Sequence, residues 1–107
     1  MIQSRQTITD TFNALTSDAK EFIHELCKVA GNQVHTAEEL AYYMDDLYTW
    51  FNTNDLLPLY TKAEIGGFMN SLLEKGIVQN DYTEKFITEF GVQVAILVAA
   101  EIEKTSK

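Results

Sequence analysis

Cysteine, proline and glycine are all scarce in this chain, with one Cys, one Pro and five Gly among 107 residues. Lone Cys27 excludes an internal disulfide and any zinc cage built on cysteines. With Pro58 as its only proline, the chain lacks the turn chemistry of a strand-rich sandwich, and helices are favoured. Long apolar runs are missing as well. The most apolar segment, Val94 to Ala100, is seven residues, far short of the roughly 20 that span a bilayer. The opening residues, MIQSRQTITD, hold no apolar run of the kind a secretion signal carries. The expectation is an intracellular, cytoplasmic chain with no membrane partner. Basic residues are the last shortage: eight Lys+Arg stand against sixteen Asp+Glu, a net charge of −8. Such a chain repels nucleic acid at long range, because phosphate binding depends on Lys and Arg displacing counterions.

What is present points to one folded domain. Hydrophobic residues make up 46%, which excludes disorder, and the length suits a single core. Residues 1–15 carry Ile8, Phe12 and Leu15 at helical spacing, with Asp10 as a candidate cap; an extended arm is the alternative. Ser17 or Asp18 is then placed to cap a helix whose stripe is Ala19, Phe22, Ile23, Leu26, Cys27 and Ala30, ending at Gly31. Gln33-Val34-His35 has the length of a single ladder rung. Thr36-x-x-Glu39 is a capping box opening a second helix, with Leu40, Tyr43, Met44, Leu47 and Phe51 as its stripe and Trp50 alongside. Residues Asn52 to Asp55 end it, and Leu56 to Tyr60 form an apolar connector.

Thr61-x-x-Glu64 repeats the box, with Tyr60 and Ile65 at hydrophobic-staple positions. Ile65, Phe68, Met69, Leu72 and Leu73 form the buried stripe of this third helix. Gly76 stops it, and Ile77 is placed to touch Leu72 in a Schellman ending. Ile77-Val78 begin a strand, Asn80 to Thr83 turn, and Lys85 to Thr88 return. Thr88 or Glu89 starts a final helix that is apolar nearly all round. The divisions expected are an arm or short helix at 1–15, a core at 16–91 and a dimerisation helix at 92–107.

Helix, short strand, helix, helix, hairpin, helix is the order in which this chain resembles a winged helix-turn-helix domain, over residues 16–100. The stretch from Val34 to Ala41 looks like that family's first strand entering its second helix. Lys62 through Val78 looks like the recognition helix passing into the wing. Phe86 to Gly91 resembles the wing's second strand handing over to a C-terminal helix. The second helix and its connector are longer than usual, and the wing tip is short, with Lys85 its only base. The fold expected is mostly α with a small hairpin.

The resemblance implies macromolecular binding through the outward face of the third helix and the wing. The candidate contact residues are Lys62, Gly66, Gly67, Asn70, Ser71, Lys75 and Lys85. Asn70 suits adenine and the lysines suit phosphate, but Glu64 and Glu74 share that surface. Gly66-Gly67 weaken a helix by roughly 1 kcal/mol each relative to Ala. The ordinary explanation is tight packing of the second helix there; the functional one is a partner at the same spot.

Glu38, Glu39, Asp45, Asp46 and Asp55, interleaved with Tyr42, Tyr48 and Trp50, read either as a solvated face or as a phosphate-like array that mimics DNA before a protein partner. His24 and Cys27 stand one turn apart, too few to make a metal site, and no nucleophile triad or phosphate loop is present. No enzyme activity, cofactor or small-molecule substrate is expected. The last helix sets the quaternary expectation: a homodimer covering Phe90, Val94, Ile96, Leu97, Val98 and Ile102. Two functions remain open. One is a regulatory winged-helix dimer of an intracellular or viral system. The other is an acidic inhibitor or adaptor that binds a protein.

Overall fold

The computed structural model describes residues 5–30, 36–42, 50–51, 53–81 and 84–105. Helices dominate: α1 (Arg5–Ala14), α2 (Ser17–Ala30), α3 (Ala37–Tyr42), α4 (Lys62–Glu74) and α5 (Glu89–Thr105). A small antiparallel sheet is built from β1 (Trp50–Phe51), β2 (Val78–Asp81) and β3 (Glu84–Ile87), in the order β1-β3-β2.

Both Thr-x-x-Glu boxes form as their spacing demands. Thr61 Oγ1 accepts the Glu64 N–H at 3.2 Å while Glu64 Oε1 accepts the Thr61 N–H at 2.9 Å. Thr36 and Glu39 exchange the same pair at 3.0 and 3.2 Å. Each box satisfies two backbone donors that a helix start would otherwise leave open. The cap of α2 is Thr16, in place of the expected Ser17 or Asp18; its Oγ1 accepts the Ala19 N–H at 3.1 Å. Asp10 is not at the helix start as expected, because α1 already runs from Arg5 and leaves it inside the helix. The leading segment is thus a helix, with Leu15 buried and Ile8 and Phe12 packed on the core.

The end of α4 follows the expectation closely. Gly76 takes φ +77°, the left-handed conformation that a side chain disfavours. The Gly76 N–H donates to Leu73 O at 3.2 Å and the Ile77 N–H to Leu72 O at 2.9 Å, the two bonds of a Schellman ending. The chain passes from there into β2. Asn80 pairs with Lys85 and Asp81 with Glu84, so the hairpin is tighter than the expected turn over Asn80 to Thr83.

The clearest departure lies at Trp50–Phe51. They were expected to end the second helix, but they form β1, with Trp50 opposite Phe86 and Phe51 opposite Lys85. The residues that follow, Thr53–Leu56, make a 3-10 turn that buries Leu56. Of the expected second-helix stripe, Tyr43, Met44 and Leu47 lie outside the described residues, as does the rung at Gln33 to His35.

Thr88 joins the two halves. Its N–H donates to Ile77 O at 3.0 Å and its hydroxyl to Gly76 O at 2.6 Å, while Oγ1 accepts the Gly91 N–H at 2.9 Å as the cap of α5. Helix α5 then packs along α1, α2 and α3. Lys20 reaches Glu101 at 3.0 Å, and Glu103 accepts the Ala37 N–H at 3.3 Å. The core is a single cluster of apolar side chains, from Leu15 and Phe22 through Leu40, Leu72 and Ile87 to Val98.

Candidate macromolecule-binding groove

Alternation along a strand puts successive side chains on opposite faces. Asn80 therefore shares a face with buried Val78, and its partner Lys85 shares one with buried Ile87. Beyond that core contact, the same face of the hairpin continues outward and becomes one wall of a groove. The opposite wall is α4, where Lys62, Gly66 and Asn70 succeed one another at one-turn intervals. Thr53 and Asn54, from the 3-10 turn, complete it, and Ile65, Met69 and Leu73 lie along its base. The groove encloses about 530 Å³.

Four of the seven candidate contact residues are thereby brought together: Lys62, Gly66, Asn70 and Lys85. Lys75 and Ser71 are not among the lining residues. The Lys75 ammonium donates to Ser71 Oγ at 3.1 Å. Gly67 is exposed on α4 outside the groove. Thr53, Asn54 and Asn80 belong to the groove but were read from sequence only as turn residues. Nothing in their local pattern signals a site, because the tertiary placement of the turn and hairpin is what brings them there.

Gly66 and Gly67 also correct an expectation. A Cβ at either position would meet nothing within 4 Å. Tight packing of another helix is therefore not why alanine is absent. Both glycines open onto solvent, and Gly66 lowers one wall of the groove.

The charge of the groove is local and positive. Among the described residues its only ionisable lining groups are Lys62 and Lys85, and no carboxylate lines it. Glu64, the nearest acid in sequence to Lys62, is turned to the Thr61 N–H. Of the acidic array, Glu38, Glu39 and Asp55 lie within the described residues. Glu39 is committed to Thr36, Glu38 and Asp55 stay exposed, and Asp45 and Asp46 lie outside. Cys27 is buried, and burial pushes its thiol up to about 12, which keeps it protonated and unfit as a ligand beside His24. Among the described residues no group of three or more His, Cys, Asp or Glu could hold a metal ion. No described helix is long and apolar enough to cross a membrane.

The apolarity of α5 has an internal explanation. Val94 and Val98 have no exposed surface within the single chain, and Gly91, Val92, Ala95 and Ala99 are buried too. Three helices of the same chain surround it, so the premise that one domain covers only one face fails. Of the expected interface, Phe90, Ile96, Leu97 and Ile102 remain half-buried. Phe90, Ile96 and Ile102 pack against the core, and at about 3.6 residues per turn Leu97 stands with half-buried Ala100 on the outward side.

No family model matches this chain, and no known protein sequence or solved structure with which it was compared is significantly similar to it.

Proposed function

We propose that this chain is a non-enzymatic binding module of the winged helix-turn-helix type, which engages a macromolecular partner through the groove between α4 and the hairpin. The succession α2, α3, α4, hairpin, α5 supports that reading, as does the Schellman passage from α4 into β2. The sheet departs from the family plan in one respect, since β1 enters between α3 and α4 where the resemblance puts a strand before the second helix. The observation that carries the reading is the groove: two lysines on facing walls of a cleft that no carboxylate of the described residues lines, in a chain of net charge −8. Ordinary duplex DNA is a poor partner for it. Neutralising two phosphates releases about two counterions, little affinity against sixteen carboxylates. A homodimer in this reading rests on Leu97, the member of the expected interface that does not pack on the core of its own chain.

The test is capture from an extract of the native cells, with and without nuclease. The Lys62→Glu, Lys85→Glu double variant is expected to lose the captured partner. Leu97→Glu is expected to keep it while light scattering shows a shift from dimer to monomer. Capture that survives both lysine reversals would defeat the groove as the binding surface.

A further inference from the structure

Resting on the binding role of the groove, we infer its occupant: an acidic, amphipathic segment of a partner protein, with carboxylates on Lys62 and Lys85 and an apolar side chain over Leu73. The lining residues distinguish this from nucleic acid. A groove that takes single strands stacks bases on aromatic rings and tracks the backbone with many cations. Among the described residues this one has no aromatic lining residue and no arginine to grip guanine bidentately. It offers instead the carboxamides of Asn54, Asn70 and Asn80 and the hydroxyl of Thr53, which can donate to and accept from a peptide main chain. Ile65, Met69 and half-buried Leu73 supply a small apolar base between the two cations. That is the make-up of a peptide-binding cleft, an apolar centre with a polar, charged rim.

Gly66 supplies the access. With no Cβ at that point, a partner's main chain approaches the α4 backbone more closely than any other residue would allow. The weakening of the helix by two adjacent glycines then has a use at the surface, since no contact inside the fold requires it. The net charge of −8 does not cancel the local attraction. At about 0.15 M salt the screening length is about 8 Å, so distant carboxylates are largely silent while a carboxylate seated between Lys62 and Lys85 is not.

Three labelled probes test the inference by anisotropy at about 0.15 M salt. They are a short peptide of leucines spaced by aspartate and glutamate, the same peptide with lysine at every acid, and a random-sequence DNA duplex. The acidic peptide is expected to bind in preference to the other two, and to weaken about tenfold with each of Lys62→Glu and Lys85→Glu. Gly66→Leu separates the site from the fold. A Cβ there meets nothing within 4 Å and the change removes a helix-weakening glycine, so the melting temperature rises by roughly 4 °C while peptide binding falls at least as far as with the lysine variants. Ala63→Leu, the same bulk on α4 outside the groove, leaves binding unchanged. Preference for the duplex or the basic peptide, with dependence on Gly66 and Lys62, would overturn the acidic occupant and leave the binding role standing. No binding of the acidic peptide, or equal effects of Gly66→Leu and Ala63→Leu, would also overturn it. The role itself falls only if the extract capture is indifferent to both lysines.

Discussion

Gly91→Ala is expected to lower the stability of this protein by about 3 kcal/mol, although alanine is the better helix former. A Cβ at Gly91 would run into the carbonyl oxygen of Ile77, lie 2.9 Å from its carbonyl carbon, and lie 3.0 Å from Ile87 Cγ2. The obstacle is backbone, which cannot rotate aside as a side chain would. It is also pinned, because Ile77 O accepts the Thr88 N–H at 3.0 Å. Moving α5 outward to make room would pull Thr88 Oγ1 from the Gly91 N–H and separate the end of α4 from the start of α5. The helix-propensity gain of roughly 1 kcal/mol offsets only part of this. For a domain with about 5–15 kcal/mol in total, such a loss is large. Urea denaturation is the measurement, read as a fall in midpoint at unchanged slope. A midpoint equal to or above wild type would mean that the approach of α5 to Ile77 is not as close as described.

Phe22→Ala is expected to cost about 4 kcal/mol. Phe22 has no exposed surface. Its ring stacks on Phe68 at 4.8 Å and meets Tyr60 edge-on at 5.1 Å. Truncation leaves a void at the meeting of α2, α4 and the connector, and removes two aromatic pairs beyond the lost area. A second readout is available at Tyr60. Its phenol oxygen is buried without a hydrogen-bond partner. Burial, then the fields of Glu21, Glu25, Asp18 and Glu64, raise its pKa from 10.0 to about 12. A phenol more easily kept neutral in the folded chain adds stability below pH 10 that is lost as the pH rises towards 12. Opening the Phe22 site to water weakens the largest of those causes, so the variant's phenolate absorbance is expected to appear at lower pH than in wild type. An unchanged denaturation midpoint, or an unchanged tyrosine titration in a folded variant, would contradict this account of the cluster.

How legible each feature was depends on how far its cause lies along the chain. Thr36 with Glu39, Thr61 with Glu64, and Gly76 with Leu72 and Leu73 are decided within one or two helical turns, and each appears where the spacing put it. The stripe of α2 is equally local: Phe22, Ile23, Leu26 and Cys27 are all buried. Thr16 displaced Ser17 and Asp18 because the start of a helix shifts by a residue when several polar side chains compete for the same N–H groups. Trp50–Phe51 went unread because an aromatic pair suits a helix stripe and a strand equally well. Its pairing with Lys85 and Phe86 depends on a hairpin more than thirty residues away.

The groove divides in the same way. Lys62, Gly66, Asn70 and Lys85 could be named from the outward face of α4 and the wing, since helical periodicity alone puts the first three on one side. That they line one cleft with Thr53, Asn54 and Asn80 could not, because those residues come from separate elements. The sequence by itself determined a mostly helical chain with a hairpin, the capping boxes at Thr36 and Thr61, the stop at Gly76 and the acidic balance, because these depend on neighbours within a few residues. Only the tertiary structure decided that α5 is covered by α1, α2 and α3 of its own chain, that β1 joins the sheet, and that Gly66 opens onto solvent. Each of those outcomes is set by which distant surfaces bury one another, and apolar burial has no direction along the sequence.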